Sequence, residues 1–277
     1  MTDGAPITKE PIRLDLFIGG DMGMWLVEET LLCYHREVDS TAHLGLGHLR
    51  FNVIGVTDPD ILARLEQHPR GRDHFPTTQR DVNAWAAWCK TKPPGDWPRP
   101  ADIALLVHCP TLVKAETIKH YRRVYNLHPG LLPLGRGMFP VPWAIIDKHS
   151  AGATLHVIDS ERVDAGPIVE RHVVIPGYDD TAESVHARVR DGERRILRAF
   201  IDNLRDRGEL PREEPIDPID LGRNRKRADF DARRFVSVDE LESLRATDLL
   251  RLARAYTFTG YPGLRVGPFE LTLKRVP

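Results

Sequence analysis

The side chains best suited to chemistry are Asn126, His128 and Asp164, which occur in a part of the chain rich in proline and glycine. Asn126 and His128 are two residues apart, so on a regular strand both side chains project to the same side. A histidine can take a proton from an attacking amine, an asparagine N–H can donate to an oxyanion, and an aspartate can orient the histidine. The set predicts transfer of an acyl group to an amine without a nucleophilic serine or cysteine.

Each of these side chains also has a simpler interpretation when it is taken alone. Asparagine is common in turns, histidine occurs in many loops, and aspartate often begins a turn or caps a helix. For any one of the three the simpler interpretation is favoured. Their combination favours the catalytic interpretation, because a base, an oxyanion donor and an orienting carboxylate are then all present.

A strand, a loop and a turn have to position this set. The apolar run Val124–Leu127 predicts a strand that carries the first two side chains to its carboxyl end, where open α/β sheets bind their ligands. Residues 129–142 are rich in proline and glycine and are predicted to form an irregular loop. The turn at 163–167 can return Asp164 to the same edge of the sheet.

Strands alternate with helices over the first 210 residues, which predicts an α/β fold with a doubly wound sheet. Apolar runs typical of buried strands and long amphipathic stretches support this prediction. The predicted strands are Ile12–Ile18, Phe51–Val56, Ala101–Val107 and Val124–Leu127, and the predicted helices are Met22–Leu32, one that begins after Thr57-Asp58-Pro59, and 181–207.

Shifts in composition predict three segments. Residues 1–11 are expected to form a flexible tail, residues 12–210 the catalytic domain, and residues 211–277 a small extension packed on that domain. The predicted elements of the extension are an irregular charged connection over 211–234, a helix capped by Ser237 and a hairpin at Val266-Gly267-Pro268.

Three strings in the catalytic segment resemble those of the 10-formyltetrahydrofolate-dependent formyltransferases. They are NLHPGLLPLGRGMFPVPWAI at 126–145, GATLHVID at 152–159 and VDAGPIV at 163–169. The resemblance implies a Rossmann-like formyltransferase domain in which Asn126, His128 and Asp164 are catalytic, with 10-formyltetrahydrofolate as co-substrate and no metal. One departure is Gly130, where serine is the commoner residue in the family; a turn position is expected to tolerate this glycine.

The same resemblance implies a folate pocket that is formed largely by backbone groups. It maps onto the segment after the strand Ala101–Val107 and onto the loop before Asp164, at 160–163. A proline in the first segment removes one N–H donor. The implied cofactor-binding residues are Cys109, Pro110, Thr111, Leu112, Val113, Arg162 and Val163.

The extension helps to choose among acceptors. Its Arg254-Ala255 and Tyr261-Pro262-Gly263 resemble a segment of the nucleotide-sugar N-formyltransferases, which implies formylation of a nucleotide-linked 4-amino-4,6-dideoxyhexose, as in O-antigen biosynthesis. Small-molecule partners and a homodimer follow from the same resemblance. The alternatives are formyl transfer to methionyl-tRNA or to glycinamide ribonucleotide, and a non-catalytic or hydrolytic relative with the same fold.

Composition argues against several other classes of protein. The chain of 277 residues carries 39 basic and 40 acidic side chains, so its net charge of -1 gives no general attraction to nucleic acid or to an anionic membrane. Its uncharged runs are too short for a transmembrane helix. Three widely spaced cysteines without a Cys-x-x-Cys pair indicate neither a disulfide framework nor a zinc site, and they are consistent with the cytoplasm.

Other patterns carry weaker hypotheses. The glycines at 19–23 follow a strand but do not form the dinucleotide-binding pattern. The pairs His43 with His48 and His149 with His156 are interpreted as surface histidines rather than metal ligands. The basic residues between 223 and 234 alternate with Asp229 and Asp231, so a solvated face is the favoured interpretation.

Overall fold

The structure of the protein is a computed structural model, and it describes residues 11–26, 28, 45–46, 49–56, 63, 67, 81–91 and 101–274. Several predictions fall outside the described residues: most of the tail 1–11, much of the helix Met22–Leu32, the helix start at Thr57-Asp58-Pro59, and the pair His43 and His48. The chain divides into two compact units. The first comprises residues 1–126, 157–161 and 197–213, and the second comprises residues 127–156, 162–196 and 214–277.

The first unit is built on parallel strands. Its described elements are β1 (Ile12–Ile18), α1 (Gly20–Trp25), β2 (Gly45–Leu46), β3 (Leu49–Val56), α2 (Val82–Cys89), β4 (Ile103–Val107), α3 (Ala115–Ile118) and β5 (Arg123–His128). The strand order is β2-β3-β1-β4-β5, with β1 parallel to both β3 and β4. The predicted α/β class with a doubly wound, mainly parallel sheet is confirmed.

The second unit begins at the last two residues of β5. Its strands follow the order β5-β6-β7, with β6 antiparallel to β7, and a separate small sheet has the order β10-β9-β8. Its elements are α4 (Pro140–Asp147), β6 (Ala151–Val157), β7 (Ile168–Val174), the start of α5 (Ala182–Arg207), a short 3-10 helix (Pro218–Asp220), α6 (Arg227–Arg233), β8 (Phe235–Val236), α7 (Val238–Ser243), α8 (Ala246–Ala255), β9 (Leu264–Val266) and β10 (Phe269–Leu271).

Burial in the first unit follows the predicted strands. All five residues of β4 are buried, as expected for a strand of a parallel sheet that is covered on both faces. β1 carries one buried acid, Asp15, whose carboxylate accepts hydrogen bonds from Trp85 Nε1 at 2.8 Å and from the Tyr121 hydroxyl at 2.9 Å. Burial and the Asp15 charge raise the pKa of Tyr121, so the hydroxyl keeps its proton and remains a donor.

The long helix α5 begins one residue after its predicted start at 181 and ends at the predicted residue 207. The stripe residues Val185, Val189, Ile196, Leu197, Phe200 and Leu204 are all buried. Gly208, with φ 59°, follows the last turn and ends the helix in the left-handed conformation that glycine adopts readily. Among the described residues, no helix is both long enough and apolar enough to cross a membrane.

Two predictions for the C-terminal segment are corrected. The connection 211–234 is not wholly irregular, because it contains the helix α6. The apolar pattern after Ser237 forms two helices instead of one, since Leu244 and Arg245 adopt extended backbone angles between α7 and α8. Ser237 does cap α7, as predicted, by accepting a hydrogen bond from the backbone N–H of Glu240 at 3.0 Å.

Aromatic stacking explains why α6 forms in so charged a sequence. Phe230 of α6 stacks on Phe139, with ring centroids 4.3 Å apart, and on Tyr256, with centroids 4.5 Å apart. The Tyr256 hydroxyl also donates a 2.7 Å hydrogen bond to the Phe230 carbonyl. Residues after 211 therefore contact residues near α4 within the second unit. The predicted domain boundaries at 11/12 and 210/211 stay predictions.

The predicted terminal hairpin is present. β9 and β10 pair in antiparallel register, and Val266-Gly267-Pro268 lies at the turn between them. Gly267 has φ 54°, a backbone conformation that favours glycine.

Candidate active site

The structure brings His128 and Asp164 together within the second unit. His128 is the last residue of β5, and its Nδ1 atom lies 3.6 Å from Asp164 Oδ2. The side chain of His128 is buried and that of Asp164 is largely buried, with exposed fractions of 7% and 11%. Asp164 lies in the turn before β7 with φ 47°, a left-handed conformation that aspartate tolerates better than most residues.

Asn126 occupies the predicted position on β5, two residues before His128. It is half-buried, whereas its neighbours Tyr125 and Leu127 are fully buried. Because side chains alternate along a strand, Asn126 and His128 project from the same face of β5. The two side chains are therefore spaced along β5 as the sequence predicts.

A second histidine, His156, contacts the same carboxylate. Its Nε2 atom lies 3.5 Å from Asp164 Oδ1, and its side chain is 2% exposed. The His128 and His156 rings are perpendicular, with centroids 6.3 Å apart. The interpretation of His156 as a surface histidine is wrong, because β6 carries it into the protein. The only sequence indication was its place in the string GATLHVID.

The loop after β5 supplies backbone groups to both catalytic candidates. The Gly135 carbonyl lies 2.6 Å from His128 Nε2, and the Gly137 N–H donates to Asp164 Oδ2 at 2.9 Å. A carbonyl oxygen only accepts hydrogen bonds, so Nε2 carries the hydrogen in this arrangement. The loop thus holds the imidazole on one side and the carboxylate on the other. Its irregular part is shorter than predicted, since α4 begins at Pro140.

Thr154 of β6 fixes the start of this loop. Its hydroxyl donates to the Gly130 carbonyl at 2.7 Å and accepts from the Leu132 N–H at 3.1 Å. Thr154 is fully buried. A buried hydroxyl that is satisfied as both donor and acceptor restricts the loop to one arrangement.

Gly130 has a steric function that the sequence did not reveal. A Cβ atom at this position would lie 2.3 Å from the Gly135 carbonyl oxygen and 2.4 Å from His128 Nε2. Both distances are shorter than van der Waals contact, so any side chain here would displace the imidazole or the loop. The glycine therefore permits the hydrogen bond between His128 and Gly135.

Arg136 holds the turn that carries Asp164. Its Nε and one terminal nitrogen donate to the Val163 carbonyl at 3.1 and 2.8 Å, and Nε also lies 3.1 Å from the Asp164 carbonyl. Burial lowers the pKa of Arg136, and the nearby Asp164 charge opposes this effect. Because an arginine pKa starts far above neutrality, the guanidinium stays charged.

The environment of Asp164 keeps its carboxylate ionised. Burial by itself would raise the pKa of Asp164, but the adjacent His128, the hydrogen bond from His156 and the Gly137 N–H together lower it well below its ordinary value. Asp164 is therefore an anion at neutral pH. It can orient an imidazole and stabilise the positive charge that the imidazole gains when it accepts a proton.

The predicted folate segment in the first unit is held by Asn83. The Asn83 side chain donates to the Leu112 carbonyl and accepts from the Lys114 N–H, both at 2.9 Å. Burial raises the pKa of Cys109 to about 12, so this thiol is not a reactive thiolate at neutral pH. Leu112 is 72% exposed and Val113 is buried. Pro110 is exposed and Thr111 is half-buried.

The predicted folate residues in the second unit are Arg162 and Val163. Arg162 is exposed and Val163 is half-buried. Two Arg136 N–H groups already engage the Val163 carbonyl, so its two lone pairs are occupied. The assignment of these seven folate-binding residues stays a prediction. Among the residues that the structure describes, no cluster of three or more His, Cys, Asp or Glu side chains could hold a metal ion.

The segment that contains these side chains is similar to known proteins. Residues 98–201 match the Formyl transferase family. The matched segment contains Asn126, His128 and Asp164. Over 106 residues the chain is 40% identical to dTDP-4-amino-4,6-dideoxyglucose formyltransferase from Mycobacterium bovis, a match that covers 38% of this chain but only 44% of that protein.

The similarity in fold extends over nearly the whole chain. A sugar N-formyltransferase from a Shewanella species has 19% identity and a TM-score of 0.72, and the match covers 96% of this chain and 99% of that one. An N-formyltransferase from Helicobacter canadensis, solved with folinic acid and dTDP-3-aminofucose, has 12% identity and a TM-score of 0.60, with 94% and 84% covered. The formyl transferase fold, including the C-terminal helices and hairpin, is thereby confirmed.

We predict that Gly130→Ala impairs the site without unfolding the protein. The added methyl would overlap the Gly135 carbonyl and His128 Nε2, and overpacking of this kind typically costs about 1–3 kcal/mol. Urea denaturation should show that the free energy of unfolding falls by an amount in that range. The nitrogen-15 NMR signals of the His128 ring should move.

The control for this prediction is Gly177→Ala in the same unit, where the nearest atoms to a new Cβ are side-chain oxygens at 3.2 and 3.4 Å. This variant should leave the His128 ring signals unchanged. Unchanged ring signals in Gly130→Ala would show that the glycine has no such function.

Proposed function

We propose that the protein is an N-formyltransferase that moves the formyl group of 10-formyltetrahydrofolate to the amine of a nucleotide-linked amino sugar of the 4-amino-4,6-dideoxyhexose type. The observation that carries this proposal is the buried Asp164 carboxylate, which faces His128 at the end of β5. The formyl transferase segment at 98–201 supports the reaction class.

In the proposed reaction His128 accepts the proton that the acceptor amine loses as it attacks the formyl carbon. A histidine is suited to this task because its ordinary pKa lies near neutrality. Nε2 carries the ring hydrogen while it donates to the Gly135 carbonyl, so it can accept a proton only after the acceptor releases it from that carbonyl and the ring hydrogen lies on Nδ1, where it is donated to Asp164. Nε2 is the nitrogen we assign, since the neutral carbonyl is a weaker partner than the carboxylate.

Asn126 and Asp164 have the supporting roles. Asn126 projects from the same face of β5 as His128 and can donate an N–H to the oxygen on which negative charge develops. Asp164 stays ionised, so it can hold the imidazole and stabilise it once it is protonated. His156 contacts the opposite oxygen of Asp164 and fixes the orientation of that carboxylate.

The folate would bind at the segments that the sequence predicts. Cys109 to Val113 present backbone groups beside the exposed apolar side chain of Leu112, a combination suited to a flat ring with polar edges. On the other segment Arg162 and Val163 precede the catalytic aspartate. The folate carries the formyl group, and no metal takes part in the proposed chemistry.

Two features support the sugar acceptor. The relative with 40% identity is named for formylation of dTDP-4-amino-4,6-dideoxyglucose, and the sugar N-formyltransferase fold covers 96% of this chain, including the residues after 211. Methionyl-tRNA and glycinamide ribonucleotide are the alternative acceptors, and a hydrolytic or non-catalytic relative is the other alternative. A cytoplasmic location, a homodimer, the absence of nucleic-acid and membrane partners, and a role in O-antigen biosynthesis stay predictions.

The experiment that tests the proposed function follows tetrahydrofolate release from 10-formyltetrahydrofolate. The acceptors are a panel of amino nucleotide-sugars, methionyl-tRNA and glycinamide ribonucleotide, and one reaction contains no acceptor. We expect turnover with a 4-amino-4,6-dideoxyhexose nucleotide and none without an acceptor. Faster turnover with either of the other acceptors would reject the sugar, and equal release without an acceptor would indicate a hydrolase.

We predict that His128→Ala lowers kcat by about 10²–10⁴, because the proton acceptor is lost. Asn126→Ala should lower kcat by a factor on the order of 10²–10³, as for the loss of one oxyanion donor. The two losses combined with Asp164→Ala should be strongly non-additive, since the three side chains act as a unit. Steady-state kinetics gives these values.

Two controls are the folate affinity measured by calorimetry and the midpoint temperature of thermal unfolding. In each variant both values should stay close to those of the unaltered protein. A His128→Ala enzyme that keeps more than about a tenth of the original kcat would contradict the assigned role.

A further inference from the structure

A short segment of the C-terminal extension lies against the loop that follows β5. We call residues 222–225 the strap. The Gly222 N–H donates to the Pro133 carbonyl at 3.0 Å, and the Arg225 N–H donates to the Arg136 carbonyl at 3.2 Å. Met138 N–H donates to the Arg225 carbonyl at 2.8 Å, which makes the strap a parallel neighbour of the loop at Gly137.

The strap pairs with the loop residues that hold the catalytic candidates. Gly135 and Gly137 supply the carbonyl and the N–H that contact His128 and Asp164. Between them, Arg136 donates to the Gly222 carbonyl at 2.9 Å through one nitrogen and to the carbonyl before Asp164 through two others. One guanidinium therefore joins the strap to the turn that carries the carboxylate.

Two glycines make this close approach possible. A Cβ atom at Gly222 would lie 2.7 Å from the Leu134 carbonyl oxygen. A Cβ atom at Gly137, where φ is 83°, would lie 2.2 Å from the Arg225 carbonyl oxygen. The backbones of the strap and of the loop are therefore in direct contact at Gly222 and at Gly137, with no side chain between them.

The strap is anchored at its far end. The Arg225 guanidinium bonds Asp147 at 2.5 Å and lies 3.9 Å from the centre of the Trp143 ring, both on α4. Arg223, by contrast, is exposed and pairs with Asp229. The basic residues of this segment are thus engaged in ion pairs within the protein.

We propose that the strap and Arg136 are positioning elements for His128 and Asp164, which makes the C-terminal extension part of the catalytic apparatus. This inference rests on the proposed function. The strap sets the position of loop residues 135–137, and those residues set the imidazole and the carboxylate. Displacement of the strap alters catalysis more than substrate binding.

The test compares Arg136→Lys and Gly222→Ala with the control Arg245→Ala, at an exposed arginine of the extension that lies outside the strap. A lysine has one charged nitrogen, so it cannot donate to both the Gly222 and the Val163 carbonyls as the planar guanidinium of Arg136 does. We expect kcat to fall on the order of 10- to 10²-fold in the first two variants, as for a small misplacement of catalytic groups. KM for folate and acceptor should stay within about threefold. Arg245→Ala removes an arginine that pairs with Asp248 and leaves the strap intact, so its kcat should be unchanged.

A second readout does not require turnover. The nitrogen-15 NMR signals of the His128 ring should move in Arg136→Lys and Gly222→Ala and stay in place in Arg245→Ala. Unchanged signals and kcat in the first two variants would overturn the strap proposal. A wild-type protein without turnover on any acceptor would reject the proposed function, and the NMR comparison would still decide the strap proposal.

Discussion

A buried carboxylate has to be compensated on every side, and Asp164 imposes that requirement on this site. Removing an ionised acid from water costs several kcal/mol unless charges or hydrogen-bond donors replace the water. Two histidines approach the two oxygens of Asp164, and the Gly137 N–H donates to Oδ2 of the same carboxylate. These partners outweigh burial and lower the pKa of the carboxylate. The carboxylate is therefore charged at neutral pH.

The surrounding backbone is shaped by the same requirement. Gly137 can donate to Asp164 only because the loop returns to the end of β5, and it does so with a positive φ. The return brings the Gly135 carbonyl onto His128 Nε2, which leaves no space for a side chain at Gly130. Arg136 then ties the turn of Asp164 to the C-terminal extension. Chain segments far apart in sequence are thus joined by hydrogen bonds between side chains and the main chain.

Local patterns predicted much of this arrangement. The spacing of Asn126 and His128 and the stripe on α5 follow from backbone periodicity, so they were accessible from the sequence. His156 was missed because its partner is a carboxylate that only the folded chain brings close. Helix α6 was missed because Phe230 stacking stabilises it against its charged composition. The steric function of Gly130 depends on where the loop returns, and no local pattern encodes that.

The most direct test of this account is the titration of Asp164 itself. Carbon-13 NMR of its side-chain carboxyl, assigned by comparison with Asp164→Asn, can follow the charge from about pH 8 to pH 2. The account predicts that the signal does not titrate near the ordinary aspartate value of about 3.9 and stays that of a carboxylate well below it. The stability that this carboxylate contributes would then be present above about pH 4 and lost as the pH falls through the lowered value. A normal or raised pKa for Asp164 would contradict the account, because the two histidines would then not compensate a buried charge.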